Sequence, residues 1–201
     1  MRFLLAAFAV GSLLQAQDFR QAKWGMTVAQ VLATESRHPT EVRQSSGEVV
    51  VQYDSVPLAG LDGRVLYMFA QDKLVRAKYV FSLEHENRNE FIADYKAIEP
   101  LLLEKHGKPA SERAIWEDDS TQDEPKSYLD QDRATPSSIL PSDRYVGLAV
   151  ALGHLRLYTQ WNRPRTVILH ALTGEDNRIL HQVEYRSVEF ESLEKQVRQP
   201  R

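Results

Sequence analysis

The sequence predicts an α+β domain, an antiparallel β-sheet of about seven strands with two to three helices packed on one face. Three observations predict it. Apolar residues alternate at period two through 48–83 and again after 154, short turn signals separate the alternating runs, and two segments carry helix start and stop signals. Successive strands joined by tight turns pair as a meander, which makes the sheet antiparallel. The expected organisation is a leader at 1–16, a domain at 17–187 and a C-terminal tail at 188–201. Within the domain, 19–83 and 87–187 are candidate duplicated halves, each a helix followed by three strands.

The leader begins with Met1-Arg2 and continues through Phe3 to Leu14, where only Gly11 and Ser12 interrupt the apolar run. Such a run spans about 18 Å as a helix, against about 30 Å of bilayer hydrocarbon, so it suits a secretory signal peptide better than an anchor. Cleavage is expected after Ala16, although Leu14 is bulkier than the small residue usual two positions earlier. The expected address is periplasmic or secreted. No later stretch approaches the ~18 apolar residues of a spanning helix, so no stable membrane insertion is expected once the leader is removed.

The first helix is predicted from Thr27, with Gln30 as its return partner in a capping box and Met26 and Val31 as a hydrophobic staple. It ends by Arg37, before His38-Pro39. Strands follow at 49–53, 64–70 and 74–82, with Gln71-Asp72-Lys73 as a hairpin loop. Asn87 and Glu90 mark the start of the main helix, and Phe91, Tyr95, Ile98 and Leu102 recur at helical spacing. Lys105-His106-Gly107-Lys108-Pro109 writes its stop, and Pro100 is expected to kink or divide it. A strand at 111–117, a long polar loop at 118–142, a short helix at 143–152 closed by Gly153, and strands at 154–161, 166–172 and 179–187 complete the domain. The tail, with Phe190, Leu193 and Val197, reads equally as a docked helix or a frayed end.

Composition closes several functional classes. Lys and Arg total 25 against 28 Asp and Glu, a net charge of −3, with no long basic run, so nucleic acid is not an expected partner. The absence of cysteine removes disulfides, thiol nucleophiles, thiolate metal sites and a lipid-bearing cysteine. No phosphate-binding loop, dinucleotide fingerprint or nucleophile elbow occurs. His85-Glu86 opens like a zinc-protease helix, but Asn89 stands where the second histidine belongs, so a surface role is expected.

His154, His170 and His181 lie on different late strands. A last hairpin pairing Leu169 with Val183 and Val167 with Tyr185 gives the cleaner apolar face and puts His170 and His181 on opposite faces; a one-residue slip sets them opposite each other. The first register is preferred, with each histidine satisfied or partly exposed. Between Glu117 and Asp132 seven carboxylates face one lysine, Lys126, but no glycine provides the sharp turn of a calcium loop, so a solvated loop is expected. Trp24, Trp116 and Trp161 read as core rather than as a ligand platform. No residue is assigned a catalytic, cofactor-binding or metal-ligating role, and no cofactor is expected.

Trp24-Gly25-Met26-Thr27 opening a short helix, the strands rich in tyrosine and phenylalanine, and a helix ending in His106-Gly107-Lys108-Pro109 resemble a loose group of small exported bacterial proteins. More distantly, the plan is similar to the BamE-like envelope lipoproteins and the β-lactamase-inhibitor proteins. That resemblance implies binding of other proteins rather than chemistry. The expected function is therefore a non-catalytic protein-interaction domain of the bacterial envelope with an envelope protein as partner. A small-molecule or peptide binder is the alternative, and a hydrolase with unmarked acids is a more remote one.

Overall fold

The computed structural model describes residues 17–81, 83–117 and 146–198. Eight strands form one antiparallel sheet: β1 (Glu41–Ser45), β2 (Glu48–Tyr53), β3 (Gly63–Ala70), β4 (Lys73–Phe81), β5 (Ser111–Trp116), β6 (Leu155–Asn162), β7 (Thr166–Glu175) and β8 (Arg178–Ser187). Four helices accompany them: α1 (Val28–Thr34), α2 (Glu90–His106), α3 (Val146–Ala151) and α4 (Glu191–Arg198). The strand order is β1-β2-β3-β4-β8-β7-β6-β5, two sequential runs that meet at the β4–β8 pair. Each half of the sheet is thus a four-strand meander, and the last strand of one meander pairs with the last strand of the other.

The α+β class and the antiparallel sheet are as the sequence predicts, with one strand more than expected. The additional strand is β1, exposed at all five residues and paired with β2 from Glu41↔Gln52 to Ser45↔Glu48. Its polar residues suit an edge, where charged side chains keep foreign strands away.

Helix α1 starts on the predicted capping box. The Thr27 hydroxyl accepts from the Gln30 N–H at 3.2 Å, and the Gln30 side chain accepts from the Thr27 N–H at 2.9 Å. The main helix differs from expectation in two places. Asn87 does not cap it; its side chain accepts the Asn89 N–H in the turn before, and α2 begins at Glu90. Pro100 neither ends nor divides it, because the helix runs unbroken over 17 residues. Pro100 is exposed, while Ile92, Tyr95, Ile98 and Leu102 are buried, so packing of that face outweighs the single missing donor. The stop is as written: Gly107 takes φ +67 and donates to the Leu103 carbonyl at 2.7 Å.

Helices α1, α2 and α3 cover one face of the sheet. Under them lie two apolar clusters. The larger joins Phe19, Trp24 and Val31 to Tyr67, Phe69, Tyr79, Trp161, Ile168 and Tyr185, with Ile98 and Leu102 of α2 above. The smaller gathers Ile92 and Tyr95 of α2, Val146, Ala149 and Val150 of α3, and Leu155, Leu157 and Leu172. Arg20 ties the first segment to the end of α1, donating to both Glu35 oxygens at 2.9 and 3.0 Å, and Tyr67 donates to the same carboxylate. Burial pulls the Glu35 carboxyl upward, but Arg20 and Tyr67 outweigh it and hold it below the usual carboxylate range.

The tail forms α4 and reaches the opposite face. Glu194 pairs with Arg76 at 2.7 Å, and Arg76 sits between the core-facing Leu74 and Ala77 positions with its side chain on the second side of the sheet. Phe190 packs on the larger cluster, close enough to Gly25 that a Cβ there would lie 2.9 Å from its ring.

Candidate functional site

The final hairpin takes neither register weighed from the sequence. Asp176 and Asn177 have φ of +49 and +65 and make a two-residue turn, which pairs Glu175 with Arg178 and carries through to Leu172↔His181 and His170↔Val183. The face carrying His181, Val183 and Tyr185 is therefore completed by Ile168, His170 and Leu172, not by Val167, Leu169 and Ala171. That corrects the preferred register. His170 and His181 become diagonal neighbours on the helix-covered face, with their Nε2 atoms 2.9 Å apart.

Both histidines are interior, at 0% and 2% exposure. Tyr95 of α2 stacks on His170 with ring centroids 3.9 Å apart and planes at 10°, and Phe81 lies 4.5 Å from His181. The Tyr95 hydroxyl bonds the Thr159 hydroxyl at 2.9 Å, and Thr159 stands between His170 and Glu112 in one cross-strand row. Glu99, one turn beyond Tyr95, is buried too, and burial with the neighbouring Glu112 charge pushes its carboxyl up to about 8. Burial depresses both imidazoles, His181 to about 3, so the pair is neutral at pH 7. One ring donates through Nε2 and the other accepts, and neither Nδ1 has a hydrogen-bond partner among the described residues. Ordinary metal-bound imidazoles donate their second nitrogen to a carboxylate or carbonyl, which is not the arrangement here. Among the described residues no three His, Asp or Glu side chains are placed to hold a metal ion.

The other sequence candidates go to different places. His85 is bound on both nitrogens, by Glu90 at 3.0 Å and Asp94 at 2.6 Å, rather than by Glu86, and pins the connection before α2 to its first turns. His154 precedes β6, outside the His170–His181 pair. Trp24 and Trp161 are core residues whose indoles donate to Thr166 Oγ1 and the Gly107 carbonyl, each at 2.8 Å. Trp116 packs partly buried on the smaller cluster. Of the acidic segment, only Glu117 lies among the described residues, where it pairs with Arg156 at 3.5 Å.

The second face of the sheet has a different chemistry. Cross-strand partners place Glu41, Gln52, Leu66, Lys78, Glu184, Leu169, Gln160 and Ser111 in one row spanning all eight strands. The adjacent row runs Arg64, Val80, Gln182, Ala171, Tyr158, Arg113 from β3 to β5. Glu184 is occupied by Arg76 and Arg186, and Glu41 by Arg43. Arg64 and Arg113 are exposed and have no ion pair among the described residues. The row therefore holds two unpaired guanidiniums, about 24 Å apart at five strand spacings, across a neutral strip centred on Ala171.

Next to that row, at the β7–β8 turn, lies an open groove of about 670 Å³. Tyr158, Leu152 and Leu180 line it together with Arg156 and Arg178. Sequence alternation identifies residues on this face, but their alignment into rows needed the register, and no motif marks them. No protein-family model, curated protein or solved structure matches the chain.

Proposed function

We propose that this chain is an exported, non-catalytic interaction domain of the bacterial envelope, which docks an acidic protein surface on the second face of its sheet. The observation that carries this reading is the row from Arg64 to Arg113, two exposed cations with no ion pair among the described residues, bracketing Val80, Gln182, Ala171 and Tyr158. A partner with carboxylates at matching positions gains long-range attraction and a defined orientation. Part of that face is already covered, since Glu194 of α4 pairs with Arg76 there and Gln52, Val80, Ala171 and Glu184 are buried, so the surface open to a partner lies around Arg64, Gln182, Tyr158 and Arg113.

The groove beside Tyr158 supplies what a flat face lacks, a recess for one anchoring side chain of the partner. Export is supported by the apolar leader at Phe3–Leu14, and interaction rather than chemistry by the distant similarity of the helix-then-antiparallel-sheet plan to envelope-binding domains. The convergent acids and histidines that a hydrolase needs do occur, at Glu99, Glu112, His170 and His181. Glu99, His170 and His181 are buried and Glu112 is half-buried, and none of the four lines the groove.

Photo-crosslinking tests the docking face. A crosslinker at Leu169 or Gln182 should capture one acidic envelope protein, and the adduct should vanish in R64E/R113E while a crosslinker at Lys96 or Glu104 on α2 captures none. Equal capture from both sides, or capture indifferent to the arginine reversal, overturns it. The groove also favours a second reading, a small-molecule or peptide site, since its volume falls in the usual ligand range of about 300–1,000 Å³. A ligand at 100 times its dissociation constant would add about 2.7 kcal/mol of stability in a thermal-shift screen.

A further inference from the structure

The polar side chains on the helix-covered face form a seam. His181, His170, Tyr95, Thr159, Glu112 and Glu99 lie between the larger apolar cluster, which holds Phe81 and Val183, and the smaller one, which holds Tyr95 itself and Leu172. Here the two clusters meet across a neutral imidazole pair joined by one N–H···N bond.

We propose that the His170–His181 pair is an acid-operated latch: its protonation opens the core along this seam and frees α3 and the first turns of α2 from β5–β8, while β1–β4 and α1 keep their packing. The mechanism follows from the surroundings. A first proton on Nδ1 of the donor ring charges the pair but keeps its N–H···N bond, whereas a second proton leaves two N–H groups pointing at each other at 2.9 Å. The groups facing the pair offer little relief. From α2 come the Tyr95 hydroxyl and Glu99, from β5 Glu112, from β4 Tyr79 beyond Val183, and from β8 Tyr185; α3 contributes no titratable side chain. Glu99 is itself held protonated at neutral pH by burial, and Thr159 separates Glu112 from His170. The stacked Tyr95 ring gives an imidazolium a cation–π face, a smaller effect than the desolvation of a fully enclosed charge. The charged pair is accommodated by moving Tyr95, and Tyr95 carries the first turns of α2. Outside the cytoplasm, ambient pH acts on the protein directly, and histidine is the side chain whose charge changes in that range.

The test is amide hydrogen exchange on the full chain at about pH 7 and about pH 4.5, corrected for intrinsic rates. Two pH units below the ordinary histidine value, each imidazole favours the open state by about 100-fold. Amides of Tyr95, Val150 and Leu157 should lose about 10² to 10⁴ in protection, while those of Tyr67 and Phe69 in β3 keep theirs. The loss should disappear in H170Q/H181Q, whose amides can bond each other without titrating. Should that variant not fold, imidazole resonances of the unmodified chain serve instead, since they must titrate in step with the loss at Tyr95. Unchanged protection at Tyr95, loss of all amides together, persistence of the effect in H170Q/H181Q, or histidine titration without opening would each overturn the latch.

Discussion

Glu194 is the residue on which the C-terminal helix should depend. Arg76 and Arg186 are cross-strand partners, so two guanidiniums stand side by side on the second face. Glu184 reaches both, at 3.2 and 3.3 Å, and Glu194 of α4 supplies the second carboxylate at 2.7 Å from Arg76. The side chains of Arg76, Glu184 and Glu194 are only 16%, 9% and 8% exposed, so the set is poorly screened by water. Glu194→Gln leaves two cations on one carboxylate. Its expected cost is about 2–3 kcal/mol, between a charge-assisted hydrogen bond and a fully buried ion pair. With a urea slope of about 2 kcal/mol per molar, the midpoint should fall by about 1–1.5 M. A double-mutant cycle with Arg76→Gln should return a coupling above ~1 kcal/mol. A cost under about 0.5 kcal/mol, or no coupling, would show that α4 is held by Phe190 packing alone and that the charge network contributes nothing.

Gly174→Ala should be among the most damaging small substitutions, because its Cβ would stand 1.9 Å from the Val150 carbonyl oxygen. A loss of about 3 kcal/mol or more is expected by urea titration, against about 1 kcal/mol for Gly60→Ala, where φ is +82 but the space is open. Trp24→Phe removes the indole bond to Thr166 and should cost about 1–2 kcal/mol in the same assay. Stability should peak near neutral pH. Burial lowers His181 to about 3 and His106 to about 4 and depresses His170 strongly, so the unfolded chain binds more protons below ~6.5 and stability falls as the solution is acidified toward those values. Glu99, raised to about 8 in the fold, acts oppositely: its contribution is complete below its unfolded value near 4.5 and is lost as pH rises through 8. Thermal melts from pH 4 to 9 should therefore trace a dome, and a monotonic profile would contradict these assignments.

The elements with local signals were legible in the sequence. The Thr27–Gln30 box, the Gly107 stop and the hairpin loop expected at Gln71-Asp72-Lys73 each depend on a few neighbouring residues, and each appears there, the loop one residue shorter because Lys73 already pairs with Ala70 in β4. β1 was not legible, because an exposed edge strand with the sequence EVRQS has no buried face to impose alternation. The β7–β8 register failed for a related reason. β7 carries apolar residues on both faces, Val167, Leu169 and Ala171 against Ile168 and Leu172, so the pattern does not discriminate between registers. The turn decides instead, and Asp176-Asn177, both tolerant of positive φ, was the available sign of a two-residue loop. The His170–His181 contact follows wholly from that one-residue difference.

The docking face is tested most directly by affinity. With the partner captured through Leu169 purified, its binding should be measured for the unmodified chain, for R64E/R113E and for a K96E control on α2, at low and at physiological salt. R64E/R113E should bind at least tenfold more weakly, mainly through a slower association rate and less so at higher salt, with K96E unchanged. Equal affinity in all three proteins, with no salt dependence, would contradict it.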